Sequence, residues 1–471
     1  IKLKPRDPDA YLVLTQLWLD QNKPDEAVKV VEELSSQLPG EPVGYRRLGL
    51  ALAERGDTAR AEKLLGKAVD RDPGDLESWI ALAQLLEGQG RLAKAEEAYA
   101  SALERDPENR EVLLAAGRLA LRLESPTHAR AYFDQLLSLS RDPEVAVKVA
   151  FSYLAMHQLS AAAEVLDTTR QTFGEPRLHF YAGLVHERMR AWAKAAEAYG
   201  GVQRDAGELF HEARLHRAIA LSSLGQHARA LELFKKALEE RPDYAALTPA
   251  YSRALERAGQ AKEAEALLAR SVNDRPSAEI FEALSALYER QGRLGDAVTL
   301  LSQALKKRPR DEQLLYALGT VYERKGEPAK SLEKMRAALE INPENSNAMN
   351  FIGYLLAEGG HDFDEAEKLL TRALELKPDN GSYLDSLGWV YFRKGEIDRA
   401  VDTLQRANTI APGEPTINEH LGDALVKAAK KKEGLEAYQR AIEVLKDDPD
   451  LAENKGQRAQ IEKKLRALEE K

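Results

Sequence analysis

At 471 residues the chain has room for three or four ordinary domains, yet Ala, Leu, Glu, Lys and Arg dominate and strand-favouring residues are sparse, so an all-helical assembly is the better expectation. Its 77 acidic and 68 basic side chains are interspersed and leave a net charge of −9, which argues against nucleic-acid binding, because neutralising phosphates needs a concentrated basic surface. No cysteine is present, which excludes disulfides, thiolate nucleophiles and thiolate metal sites, and no apolar run approaches the roughly 18 residues of a membrane-spanning helix.

The chain opens on IKLKPRDPDAY, without an initiator Met. Residues 1–7 read as the tail of an upstream repeat or helix, and the chain as a fragment whose targeting segment would lie upstream. From there one unit recurs. Turn prolines stand at Pro5, Pro39, Pro73 and Pro107, each 34 residues after the last. Proline stops one helix, and the Asp or Asn beside it, as in RDPGD and RDPEN, can cap the next. Residues 8–142 therefore read as four regular helix–turn–helix units. A small residue lies ten after each proline (Gly49, Ala83, Gly117), although glycine costs a helix interior about 1 kcal/mol. It is expected to let helices of neighbouring units approach closely. Alanines recur on the second helices at Ala61, Ala95 and Ala129, and again at Ala68 and Ala102.

Residues 143–243 read as three irregular units and a possible bend. Pro143 and Pro176 drift in register, Gly200-Gly201 interrupts a second helix, and the seventh unit starts with RDAGELF in place of a proline. Seven of the nine histidines fall between His128 and His227. His179 and His186 occupy helix-packing positions, so they are expected to pack and not to bind metal. Residues 244–448 read as six further units, with Pro249 inside a first helix that it should delay or kink. Gly319, Gly353, Gly388 and Gly422 repeat the small residue. Thirteen units are expected in all, starting near residues 8, 42, 75, 109, 143, 176, 208, 244, 277, 311, 345, 380 and 414. Residues 449–471 read as a helix that caps the last apolar face.

The stretch YLDSLGWVYFRKGEIDRAVDTLQRANTIAP carries Leu387-Gly388, Tyr391, Ala400, Ala407 and Pro412. These stand at the signature places of the tetratricopeptide repeat (TPR), and the resemblance runs through essentially the whole chain. It implies an all-α TPR solenoid over residues 1–471, a right-handed superhelix whose first helices line a concave groove. The segment NAMNFIGYLLAEGGHDFDEAEKLLTRALELKPDNGSYLDSLGWVYFRKGEIDRA, with INEHLGDAL after it, resembles proteobacterial outer-membrane TPR lipoproteins. Members of that group include an adaptor that presents substrates to a periplasmic carboxyl-terminal processing protease. The resemblance implies a periplasmic protein held at the outer membrane by a lipid anchor upstream.

No Gly-rich phosphate loop, HExxH or EF-hand loop occurs, so no catalytic residue, metal ligand or cofactor is expected, and the chain reads as a non-enzymatic scaffold. With the small residue as position 8, positions 4, 7, 8 and 11 form the packing stripe, and positions 2, 5, 9 and 12 a second stripe about a quarter-turn away. By the resemblance the second stripe faces the groove. In units four to seven it is mostly apolar: Leu114, Leu121, Val147, Phe151, Leu154, Phe180, Leu184, Leu215 and Ile219. In units ten to thirteen it mixes aromatic and polar groups: Tyr316, Asn347, Asn350, Tyr354, Asp385, Trp389 and Phe392, with Glu419 and Asp423. Tyr354 and Trp389 should stand side by side, facing inward. These groups suit a protein partner or an extended peptide. The alternative for the same residues is contact with the adjacent first helix. Two other functional classes fit the sequence: a cytoplasmic assembly scaffold for a polar or motility machine, and the TPR arm of a larger enzyme.

Overall fold

The computed structural model describes residues 7–446 and 451–469; residues 1–6 of the expected upstream tail, and residues 447–450, 470 and 471 of the capping segment, lie outside them. Among the described residues there are twenty-seven α-helices, one short 3-10 turn and no strand. The helices pair into thirteen hairpins, followed by Leu451–Glu469. Hairpins 4 to 6 are Arg110–Arg122 with Pro126–Leu139, Pro143–Ala155 with Leu159–Phe173, and Pro176–Arg188 with Trp192–Gly200. Hairpins 9 to 11 are Ala278–Arg290 with Leu294–Lys307, Glu312–Arg324 with Pro328–Ile341, and Ser346–Gly359 with Phe363–Leu376. Gly381–Lys394 with Ile397–Ile410 and Pro415–Lys427 with Lys431–Lys446 complete the row as hairpins 12 and 13.

The caps follow the sequence logic. Asp75, Asn109, Asp311, Asn345 and Asn380 each accept a backbone N–H of the first turn they precede, satisfying donors that a helix start leaves orphaned. Gly395 closes the first helix of hairpin 12 at φ 83°, a left-handed conformation that side chains disfavour. Pro249 delays its helix, which starts at Leu247 and keeps the proline in its first turn. The helix Trp192–Gly200 is short, and a 3-10 turn at Arg204–Ala206 follows it.

Contacts group the chain into two compact units, residues 1–209 and 210–471. The first has its largest core around Leu113, Phe133, Val149, Tyr153, Leu166 and Leu178. The second is built around Ile352, Leu370, Leu387, Val390, Leu404 and Leu421. Ala61, Ala95, Ala366 and Ala400 are fully buried where helices cross.

The small residue at position 8 works within a hairpin, which corrects the expectation of contact between neighbouring units. A Cβ on Gly388 would lie 2.6 Å from Leu404 Cγ, on the second helix of its own hairpin. Gly117 meets Phe133, Gly183 meets Tyr199 and Gly422 meets Tyr438 in the same way. The missing side chain admits a large residue of the partner helix, and close packing offsets the lost helix propensity.

Candidate binding face

Within the second unit the first helices lie side by side. Ala278–Arg290 packs on Glu312–Arg324, Ser346–Gly359 on Gly381–Lys394, and Gly381–Lys394 on Pro415–Lys427. Among the described residues the second helices make no comparable contact with one another. The first helices therefore form the closely packed, inner side of this row.

Part of the second stripe is used to bind helix to helix. The Tyr316 ring meets Phe351 of the next first helix edge-on, with centroids 5.9 Å apart. The buried Tyr383 hydroxyl donates to Asn347 Oδ1 at 2.5 Å and lies 3.0 Å from Ser346 Oγ. Asn347 itself is exposed, whereas Asn350 is half-buried and its Oδ1 is buried without a hydrogen-bond partner among the described residues.

Asp385 does not stand open to the groove. It is buried, and both its oxygens lie 3.0 Å from Nδ1 of the equally buried His420. Burial alone would lower the imidazole pKa, but the charge and hydrogen bond of Asp385, with Glu419 and Asp423, outweigh it and raise it above the usual value. His420 also stacks on Trp389 at 4.1 Å, and Trp389 stacks on Phe392 at 4.8 Å. The indole Nε1 donates to Glu358 at 2.5 Å. The ring partners of Trp389 are thus Phe392 and His420, in place of the expected Tyr354. Burial, together with Glu358, Glu323, Asp385 and Glu419, pushes the Tyr354 phenol up to about 12.

Hairpin 13 is closed by the terminal helix. Lys464 reaches Glu419 at 2.8 Å and Asp423 at 2.6 Å, and Gln457 donates to Glu419 and Thr416 at 3.1 Å. These acidic groups, which the sequence placed in the groove, are paired with Leu451–Glu469.

The apolar stripe divides. Leu121 and Phe180 in the first unit and Leu215 in the second are buried in the core, contrary to their groove assignment. Phe180 is drawn in because Gly183 admits Tyr199, on which it packs at 5.7 Å. Leu114, Val147, Leu154 and Ile219 are half-buried. Phe151 is 49% exposed, capped edge-on by Tyr181 at 5.4 Å, and Leu184 is 36% exposed.

His179 and His186 pack as expected. His186 is buried with Nε2 2.9 Å from Asp167, and the His179 ring lies over Gly201, where burial lowers its pKa. Among the described residues no group of three or more His, Asp or Glu is placed to hold a metal ion.

Sequence reasoning missed His420, Glu282 and Glu323. One available signal was that the bodies of these first helices carry no lysine or arginine.

Sequence profiles described as tetratricopeptide repeat match residues 52–119, 86–148, 221–287, 283–346 and 352–415, together more than half of the chain. A TPR repeat-containing protein of Pseudomonas aeruginosa is 27% identical over 245 residues, 52% of this chain and 36% of that protein. The small glutamine-rich tetratricopeptide repeat-containing protein 2 of Mycosarcoma maydis is 30% identical over 88 residues, 19% of this chain and 25% of that protein. The chain thus spans well under half the length of these curated relatives. Yeast Tom70 aligns over 98% of this chain and 95% of its own, with 16% identity and a TM-score of 0.42.

Proposed function

The chain belongs to the tetratricopeptide-repeat family, and on that premise we propose that it is a non-enzymatic scaffold that holds extended segments of protein partners along its first-helix face. The observation that carries this reading is the half-buried aromatic row of the second unit. Tyr316, Tyr354, Trp389 and Phe392 stand on consecutive or neighbouring first helices, and each keeps part of its surface in solvent. Rigid aromatic rings give contact area at small entropic cost, and such residues are enriched among interface anchors. Truncating one anchor commonly costs about 2 kcal/mol or more.

Trp389→Ala is therefore expected to weaken capture of a fluorescently labelled, permanently unfolded polypeptide by about tenfold or more. Lys368→Ala, on a second helix, should leave it unchanged. Fluorescence anisotropy reads both, with circular dichroism to check that helicity survives. Equal binding by the wild type and both variants would move the site to the surface around Phe151.

The sequence resemblance supports a more specific role: an adaptor at the outer membrane that presents substrates to a periplasmic processing protease. The test is metabolic lipid labelling and cell fractionation of the full-length protein, with co-purification of such a protease. An unlabelled protein recovered from the cytoplasm would reject this placement.

A further inference from the structure

The second unit sorts its charges by helix. In hairpins 9 to 13 the only lysines and arginines of the first helices stand in their last two positions: Arg290, Arg324, Arg393, Lys394 and Lys427. The basic residues of the same hairpins lie instead on second helices, for example Lys306, Lys330, Lys368, Arg372, Arg399 and Arg406. Carboxylates are not sorted in this way. The inner stripe carries Glu282 at position 5 of hairpin 9, Glu323 at position 12 of hairpin 10, Asp385 and Glu419.

Two of these carboxylates have counter-charges within the chain. His420 holds Asp385, and Lys464 holds Glu419. Glu282 and Glu323 are half-buried, and neither has an ion pair or side-chain hydrogen bond among the described residues. Burial and the nearby Glu279 and Asp311 push Glu282 up to about 7, which marks a place where negative charge is uncompensated. Tyr354 reports the same condition further along, with carboxylates of four hairpins acting on its phenol: Glu323, Glu358, Asp385 and Glu419.

A carboxylate without a cation on a partly desolvated face attracts one from outside. No group of these residues is tight enough for a metal ion, so the complementary charge is a spaced one, carried on a chain. Lysine and arginine fit this surface in two ways. Their stems pack on aromatic rings while their heads reach carboxylates, and the heads gain further from the faces of Tyr316 and Tyr354.

We propose that the segment this face selects is an extended polypeptide bearing lysine or arginine side chains, which seat between Glu282, Glu323 and the aromatic row. The inference rests on the peptide-holding reading above and specifies its partner.

The test titrates the full chain with three labelled peptides of equal length: one alternating lysine with leucine, one alternating glutamate with leucine, and one alternating serine with leucine and tyrosine. The lysine peptide should bind about tenfold tighter than the glutamate peptide, and its advantage should shrink as salt is raised. The double variant Glu282→Gln with Glu323→Gln should remove about tenfold of that affinity. A double variant with the same change of net charge on a second helix, Glu333→Gln with Glu340→Gln, should change it less than about twofold. Equal loss in both doubles, or equal binding of the lysine and glutamate peptides, would overturn the proposal. If the neutral peptide still binds and is lost with Trp389→Ala, the peptide-holding reading survives that failure. If no peptide binds, both fall.

Discussion

Inside hairpin 13 the proton on His420 is decided by its surroundings. Burial works against the charged imidazole, and the Asp385 carboxylate, 3.0 Å from Nδ1, works for it and wins. The folded pKa therefore lies above the unfolded one, so the contribution of the pair is fully present below the unfolded value of about 6.5 and is lost as pH rises through the folded value. Urea denaturation should show stability falling as pH rises above the unfolded value of about 6.5, with the slope reduced in His420→Gln. Asp385→Asn should cost about 3 kcal/mol while the imidazole keeps its proton, and less once it is neutral. An unaltered slope in His420→Gln would show that the pair does not set it.

Among the elements, the terminal helix has two attachments. Ile461 is fully buried against Tyr438, Ala441 and Leu445, and Lys464 binds Glu419 and Asp423. Deleting residues 451–471 would expose that apolar face and strip two acidic groups of their cation. Fraying of hairpin 13 in hydrogen exchange and a tendency to aggregate are expected. The smaller change Ile461→Ala should cost about 2–5 kcal/mol locally. A truncated chain as stable and soluble as the full one would refute the capping role. The helices themselves were legible because prolines, caps and alanines report on local backbone needs. The contents of the second stripe were less so. Position 5 faces both the inner side and the next first helix, and periodicity alone cannot separate them. Asp385 turned inward because a histidine lies 35 residues later in sequence. Phe180 and Leu215 share the periodicity of groove residues, yet their burial depends on partners that pattern does not name. The glycines mark sites of close approach, but periodicity does not say that the approaching helix belongs to the same hairpin.

At the scale of the molecule, a repeat chain is held by nearest-neighbour contacts, so binding along one face should leave a local record. On the proposed reading the first helices of hairpins 10 to 12 form the partner surface. Amide hydrogen exchange, followed residue by residue with and without a bound unfolded polypeptide, tests this most directly. Added protection is expected within Glu312–Arg324, Ser346–Gly359 and Gly381–Lys394, with little change in the second helices Pro328–Ile341 and Phe363–Leu376. Protection confined to those second helices, or to residues around Phe151 in the first unit, would contradict it.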